Sequence, residues 1–249
     1  MTRPGECLTL APESIRSHVE RATISAGDAA ILDESEPRLS DQSGFDAALD
    51  RLLAMDDRLL PLVAVAGRPP LRRRAPGFAG LAAIVIAQQL SVAAARTIEA
   101  RTRAALGGEI TPQAVRAADP AVLRAAGLSA PKVRTLTGIA AALEAGSVDL
   151  GAVETMEADA AAAYLTRLPG IGTWTADIYL LFCLGRGDAF APGDLALQVA
   201  AGEAFGLPGR ASPQGLAAIA EDWRPLRGVA AHLLWAYYGA LRTRPGAPA

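Results

Sequence analysis

Leu168-Pro169-Gly170-Ile171-Gly172-Thr173-Trp174-Thr175-Ala176 is the stretch that decides how this chain folds. Ahead of it, from about Thr155 to Leu168, Met156, Ala160, Ala163, Tyr164 and Leu168 fall at helical spacing. Behind it, from about Thr173 to Leu184, the chain is apolar almost all round, the pattern of a buried helix. Two helices therefore meet at a turn of four residues, Pro169 to Gly172. Its glycines permit backbone angles closed to other residues and let the main chain approach a ligand closely. The second helix opens with free N–H groups aimed back at the turn, which favours an anion there. The pattern is a helix-hairpin-helix, and the anion it suits is a nucleic-acid phosphate.

Beyond the second helix, Ala191-Pro192-Gly193-Asp194 sets a carboxylate after a Pro-Gly turn and ahead of another apolar helix. An Asp in that position is an N-cap. The helix terminus also stabilises it as the anion, so capping and electrostatic chemistry can coexist. Two rival carboxylates lie near it in sequence. Asp177 sits inside the apolar helix, and Asp188, in Gly185-Arg186-Gly187-Asp188, reads as turn chemistry.

The rest of the composition bounds the answer. A chain of 249 residues can bury a sizeable core, as one large domain or two lobes. Ala and Leu dominate its apolar half and no period-2 alternation appears, so the class is all-α. Cys7 and Cys183 give neither a disulfide framework nor metal spacing, which fits a reducing cytoplasm. An iron–sulfur cluster would need four thiolates. His18 and His232 lie too far apart to suggest zinc. The start lacks a basic segment followed by an apolar run, so no signal peptide is expected. The longest apolar run, Phe78 to Ala87 broken by Gly80, is too short to span a bilayer.

A formal net charge of −2 is unusual for a nucleic-acid binder, but it is unevenly spread. Residues 1–60 carry a net −6 and the remainder a net +4. The acidic excess tempers phosphate affinity without opposing it where the hairpin lies.

Helices are expected at Pro12–Thr23, Phe45–Met55, Asp57–Val65, Gly80–Gln89, Val92–Leu106, Pro112–Ala118, Pro120–Ala126 and Pro131–Ala145. The hairpin pair follows, then Leu195–Phe205, Pro213–Ile219 and Leu226–Leu241. The run Arg68-Pro69-Pro70-Leu71-Arg72-Arg73-Arg74-Ala75-Pro76-Gly77 is a loop. Its arginines read as a solvated linker, with phosphate contact as the alternative.

Taken together, these motifs resemble the helix-hairpin-helix (HhH-GPD) DNA glycosylase superfamily, and within it the AlkA-like DNA-3-methyladenine glycosylases II. The resemblance rests on the hairpin with its downstream Pro-x-Asp, and on Ile84-Val85-Ile86-Ala87-Gln88-Gln89-Leu90-Ser91-Val92-Ala93. It rests also on Ala117-Ala118-Asp119-Pro120 through Leu123, Gly127-Leu128 and Lys132, and on Trp223-Arg224-Pro225-Leu226-Arg227 with Trp235. It runs from about Gly80 to Leu241.

The resemblance implies two helical lobes with a DNA-binding cleft between them. On that view residues 1–42 are an acidic leader, and residues 43–79 are N-terminal helices packing with the C-terminal lobe. Residues 80–190 form the central lobe with the hairpin, and residues 191–249 form the C-terminal lobe carrying the catalytic Asp. The expected partner is double-stranded DNA containing damaged bases, with no membrane and the protein a monomer. No metal or cofactor is expected beyond a monovalent cation on the hairpin carbonyls.

By the same resemblance, Asp194 is the catalytic carboxylate, stabilising positive charge that develops on the deoxyribose. Gly170, Ile171, Gly172 and Thr173 hold phosphate. Trp174 and Trp235 line the base pocket, with Tyr237 and Tyr238 as further aromatics. Tyr179 is included as a wall, although it lies one residue beyond a pocket tyrosine of the family, where this chain has Ile178. Gln88 and Gln89 belong to the element that enters the minor groove, Gln89 at the wedge position; local capping is the plainer reading of both. Arg224 and Arg227 read as surface or salt-bridge residues, with phosphate or active-site contact as the lesser alternative. Relatives that also cut the strand carry a Lys where this chain has Trp174, so the implied enzyme is monofunctional and uses water. A glycosylase for an oxidised or deaminated base and a non-catalytic DNA-binding module are the alternatives.

Overall fold

The computed structural model describes residues 36–243, and these are all-α, with no extended strand. Twelve helices follow in order: α1 (Gln42–Met55), α2 (Leu60–Ala66), α3 (Gly77–Ala87), α4 (Val92–Ala105), α5 (Pro112–Ala117) and α6 (Pro120–Ala125). Then come α7 (Ala130–Glu144), α8 (Ala158–Leu165), α9 (Thr173–Phe182), α10 (Leu195–Ala204), α11 (Pro213–Glu221) and α12 (Arg227–Thr243). Local chemistry sets the boundaries. Asp41, Ser91, Thr111, Asp119, Asp194 and Ser212 each accept a backbone N–H as N-caps. Proline stands in the first turn of α2, α5, α6, α7 and α11, where a missing N–H costs nothing.

Helix α3 is buried on nearly every side and packs against α4, α7 and α9, while α8 lies on α9. Helix α12 meets α1, α2, α10 and α11. The core is continuous, running from Phe45, Leu49 and Leu52 through Leu81 and Ile86 to Leu180, Leu197 and Leu233. None of the described helices is long and apolar enough to cross a membrane.

Several sequence expectations shift. The helix expected at Pro12–Thr23 lies outside the described residues. Helix α3 starts at Gly77, not Gly80: Gly77 has φ +75° and opens the helix, its N–H donating to Tyr179 Oη at 3.0 Å. Part of the expected acidic leader is built into the fold. Glu36 forms an ion pair with the buried Arg186, and Arg38 bridges to the backbone of Arg186. The arginine-rich loop is more than a solvated linker. Arg68 is held by Asp46 and Asp50, and Arg73 donates to the carbonyls of Leu39 and Cys183. These pairings were invisible in sequence because the partners lie far along the chain.

Candidate active site

The hairpin is built from the inside. Leu165, Leu168 and Ile171 are buried, and the Ile171 N–H closes the turn on Leu168 O at 3.1 Å. Gly170 has φ +77°, and a Cβ there would stand 2.3 Å from Thr135 Oγ1, so both backbone and space demand glycine. Gly172 differs. It is the N-cap of α9 at φ −90°, no side chain caps the helix, and a Cβ would meet nothing within 4 Å. Gly170, Gly172 and Thr173 are exposed, so an uncapped helix start faces open space. Ile171 is only 5% exposed, so it anchors the turn in the core.

Asp194 lies at the N-cap of α10, and its carboxylate receives four N–H donors. Oδ1 accepts from Ala196 N at 2.9 Å, Leu197 N at 3.1 Å and Trp235 Nε1 at 3.1 Å. Among the described residues, Oδ2 accepts only from Trp174 Nε1, at 2.9 Å. Oδ1 is therefore saturated, while Oδ2 keeps a lone pair unengaged. The turn before it is braced by the buried Gln198, whose Nε2 donates to Pro192 O at 2.9 Å. Trp235 packs against Phe182, with ring centroids 5.3 Å apart, and against His232 at 6.1 Å. Burial pushes His232 down to about 4, so the imidazole beside this indole is neutral near pH 7. The arrangement is a fixed anion, half-buried, flanked by two indoles.

The structure thus brings Asp194, Trp174 and Trp235 together, but not Tyr179. That ring is 1% exposed and its hydroxyl is spent on Gly77, because one residue along α9 turns the side chain from the carboxylate toward the start of α3. Tyr179 is a core residue. Of the other aromatics, Tyr237 is partly buried, and Tyr238 accepts from Arg242 Nη1 at 2.8 Å. Gln88 is the C-cap residue of α3, but its side chain leaves the helix: Nε2 donates to Thr175 Oγ1 at 2.8 Å. Gln89 is exposed on a left-handed backbone, φ +57°.

Asp188 is not turn chemistry. It is 5% exposed and bound by Arg227 Nε at 3.0 Å, Arg227 Nη2 at 2.8 Å and Arg224 Nη1 at 2.7 Å, with Asp159 and Glu221 completing the network. Asp177 borders this network, near Arg227 and Asp159. Burial pushes its carboxyl up to about 7. Sequence reasoning missed Lys132, Thr175 and Gln198 as structural anchors. Lys132 alone had a signal, as the single lysine of the chain.

A family model described as the HhH-GPD superfamily base excision DNA repair protein matches residues 82–225. The chain is 32% identical over 207 residues to a probable bifunctional transcriptional activator/DNA repair enzyme AlkA of Mycobacterium tuberculosis. That match covers 80% of this chain and 41% of the relative, so the chain spans well under half of that protein. It is 30% identical over 196 residues to DNA-3-methyladenine glycosylase 1 of Schizosaccharomyces pombe, covering 78% of this chain and 83% of that protein. The solved structure of a 3-methyladenine DNA glycosylase of the same yeast, in complex with abasic DNA, superposes with a TM-score of 0.69 at 29% identity. It covers 76% of this chain and 95% of the yeast one.

Proposed function

Because the chain belongs to the HhH-GPD superfamily of base excision DNA repair proteins, we propose that it is a monofunctional DNA glycosylase. It hydrolyses the N-glycosidic bond of alkylated purines, 3-methyladenine foremost, in double-stranded DNA. The observation that supports this reading is the Asp194 carboxylate, with Oδ1 saturated by three N–H groups and Oδ2 accepting from one, so that it keeps a lone pair.

An N3- or N7-alkylated purine is cationic, and its departure shifts positive charge onto the deoxyribose. A fixed carboxylate stabilises that charge without reorganising, since four N–H groups already hold it in place. Its free lone pair is the one able to face the sugar or orient a water. The indole N–H groups of Trp174 and Trp235 are committed to Asp194, which leaves for the base the Trp174 ring and the part of the Trp235 ring not packed on Phe182. A π face attracts a cationic, flat ring and ignores its hydrogen-bond pattern. Such a base reaches the pocket only when flipped from the duplex. The exposed Gln89 is the wedge that fills the vacated space.

The hairpin is the phosphate cradle: Gly170, Gly172 and Thr173 present N–H groups beside an uncapped helix start, while the Ile171 N–H closes the turn that shapes it. Neutral main-chain oxygens of the turn, Leu168 O among them, would hold a monovalent cation, which would add positive charge favourable to a phosphate.

Asp194→Asn tests the assignment. The amide keeps the size and can still accept from α10, but its NH2 would face an indole N–H and the charge is gone. Single-turnover base release from methylated DNA should fall at least 100-fold, with affinity for a duplex carrying an abasic-site mimic changed only a few-fold. A variant retaining more than a tenth of the wild-type rate, a loss below ~1.4 kcal/mol, would remove Asp194 from the chemistry.

A further inference from the structure

The turn joining α3 to α4 is held far more firmly than its exposure requires. Gln89 occupies the left-handed region, φ +57°, which residues with side chains seldom adopt. Leu90 is 38% exposed and Val92 69% exposed, so the turn presents apolar as well as polar surface outward. Three sets of bonds fix it. Lys132 Nζ reaches across from α7 and donates to Ile86 O at 2.7 Å and Gln88 O at 2.8 Å. Gln88 Nε2 donates to Thr175 Oγ1 at 2.8 Å, and Thr175 is itself buried. The Leu90 N–H closes on Ala87 O at 3.2 Å, and Ser91 then caps α4.

The chemistry at Lys132 is specific. The last carbonyls of a helix lack intrahelical partners and carry the negative end of its dipole, where an ammonium is favoured. Two converging carbonyls two residues apart suit a compact ammonium with tetrahedral donors better than a planar guanidinium. Burial pushes Lys132 below the usual lysine range, so the two carbonyls are what compensate its lost hydration. Thr175 follows Trp174, whose indole holds Asp194. One connected path therefore runs from α7 through the turn to the carboxylate.

We propose that Lys132 and Thr175 are positioning residues for base extrusion, locking residues 88–90 in the shape that drives Gln89 and Leu90 into the duplex in register with Asp194. The proposal rests on the glycosylase reading above. If the turn were free to relax, Gln89 would return to an ordinary backbone conformation and the wedge would no longer line up with the pocket.

The test uses the full chain and a methylated duplex with 2-aminopurine beside the lesion, whose fluorescence rises when stacking is lost. Lys132→Met should slow both that rise and single-turnover base release about tenfold, with affinity for undamaged duplex within twofold of wild type. Lys132→Arg should recover part of the loss, and Thr175→Val should cost about threefold. In a Gln89→Ala background, Lys132→Met should add less than twofold, because it acts through the turn. The same tenfold loss in that background overturns the proposal. If Lys132→Met does not fold, Thr175→Val decides: a wild-type fluorescence rise overturns the proposal. A wild-type protein that releases no alkylated base overturns the enzyme reading and this proposal with it. Release by the wild type with Lys132→Met unaffected overturns the proposal alone.

Discussion

The Trp174 indole N–H donates to Asp194 Oδ2 at 2.9 Å, tying the first turn of α9 to the first turn of α10. On the proposed reading, helix α9 carries the phosphate-facing hairpin at its start and a support for the reacting carboxylate one residue later. Gripping DNA and aiming the carboxylate would then be two tasks of one element, and a substitution should be able to disturb one and spare the other.

Trp174→Phe isolates the aiming. It keeps an aromatic face and deletes the N–H, leaving Oδ2 without a donor. Single-turnover release should drop by about tenfold, roughly 1.4 kcal/mol, with DNA affinity unchanged. Trp235→Phe should cost less, since Oδ1 retains Ala196 and Leu197 as donors. The comparison is read from the two rates on one methylated duplex, and equal losses would separate neither oxygen from the other.

Gly172→Asp isolates the grip. The residue is the uncapped N-cap of α9, has φ −90° and borders open space, so an Asp fits without strain. It should cap the helix and raise stability by roughly 0.5 kcal/mol. The same carboxylate would stand where phosphate is expected and weaken binding to any duplex sequence, by tenfold or more. Thermal unfolding and a salt-controlled binding titration should move in opposite directions. Gly170→Ala should instead destabilise, because of its positive φ and the Thr135 contact.

Stability should also depend on pH through Asp177. Burial raises its folded carboxyl to about 7, against the pull of Arg227 and with the push of Asp159. Between the unfolded value near 4 and that value the folded chain holds a proton the unfolded chain releases, so this contribution falls as pH rises across the window. Asp177→Asn should stabilise the protein at pH 8 by about 1–3 kcal/mol and change it little at pH 4. His232 works the other way, its folded value near 4 lying below the unfolded one, so it costs stability as pH falls from about 6.5 toward 4. Only the difference between variant and wild type at each pH, from urea titrations, isolates Asp177.

The helices were legible because Gly, Pro and capping residues mark their ends and apolar spacing fills them, as at Ser91, Thr111 and Ser212. Asp194 and the two indoles were legible as a group from motif order, but their mutual hydrogen bonds were not. The sequence presents Trp174 and Trp235 as pocket walls; the structure shows their N–H groups supporting Asp194. What stayed hidden was long-range pairing between charged residues. Asp188 reads as a turn residue in sequence, yet Arg224 and Arg227 close over it, and Glu36 reads as leader, yet it pairs with Arg186. Tyr179 failed for a geometric reason: one position along a helix rotates a side chain by roughly 100°, from pocket to core.

The reaction's endpoint follows from where the chain's one lysine is. Strand-cutting chemistry needs an amine beside the sugar carbon, free to form a Schiff base. Lys132 is instead fastened to Ile86 O and Gln88 O, and position 174 is an indole. The product should be an intact abasic strand, and borohydride should trap no covalent adduct. Trp174→Lys should not create efficient cleavage either. A new ammonium beside Asp194 would pair with the carboxylate, and that pairing holds the amine in its protonated, non-nucleophilic form. The same change should impair cationic bases more than neutral ones such as hypoxanthine, by replacing a π face with a positive charge. A gel of the borohydride-treated reaction, run beside base-release assays on both lesion types, reads all three. A trapped adduct with the wild type would overturn the monofunctional reading, and equal losses on cationic and neutral bases would remove the cation–π argument.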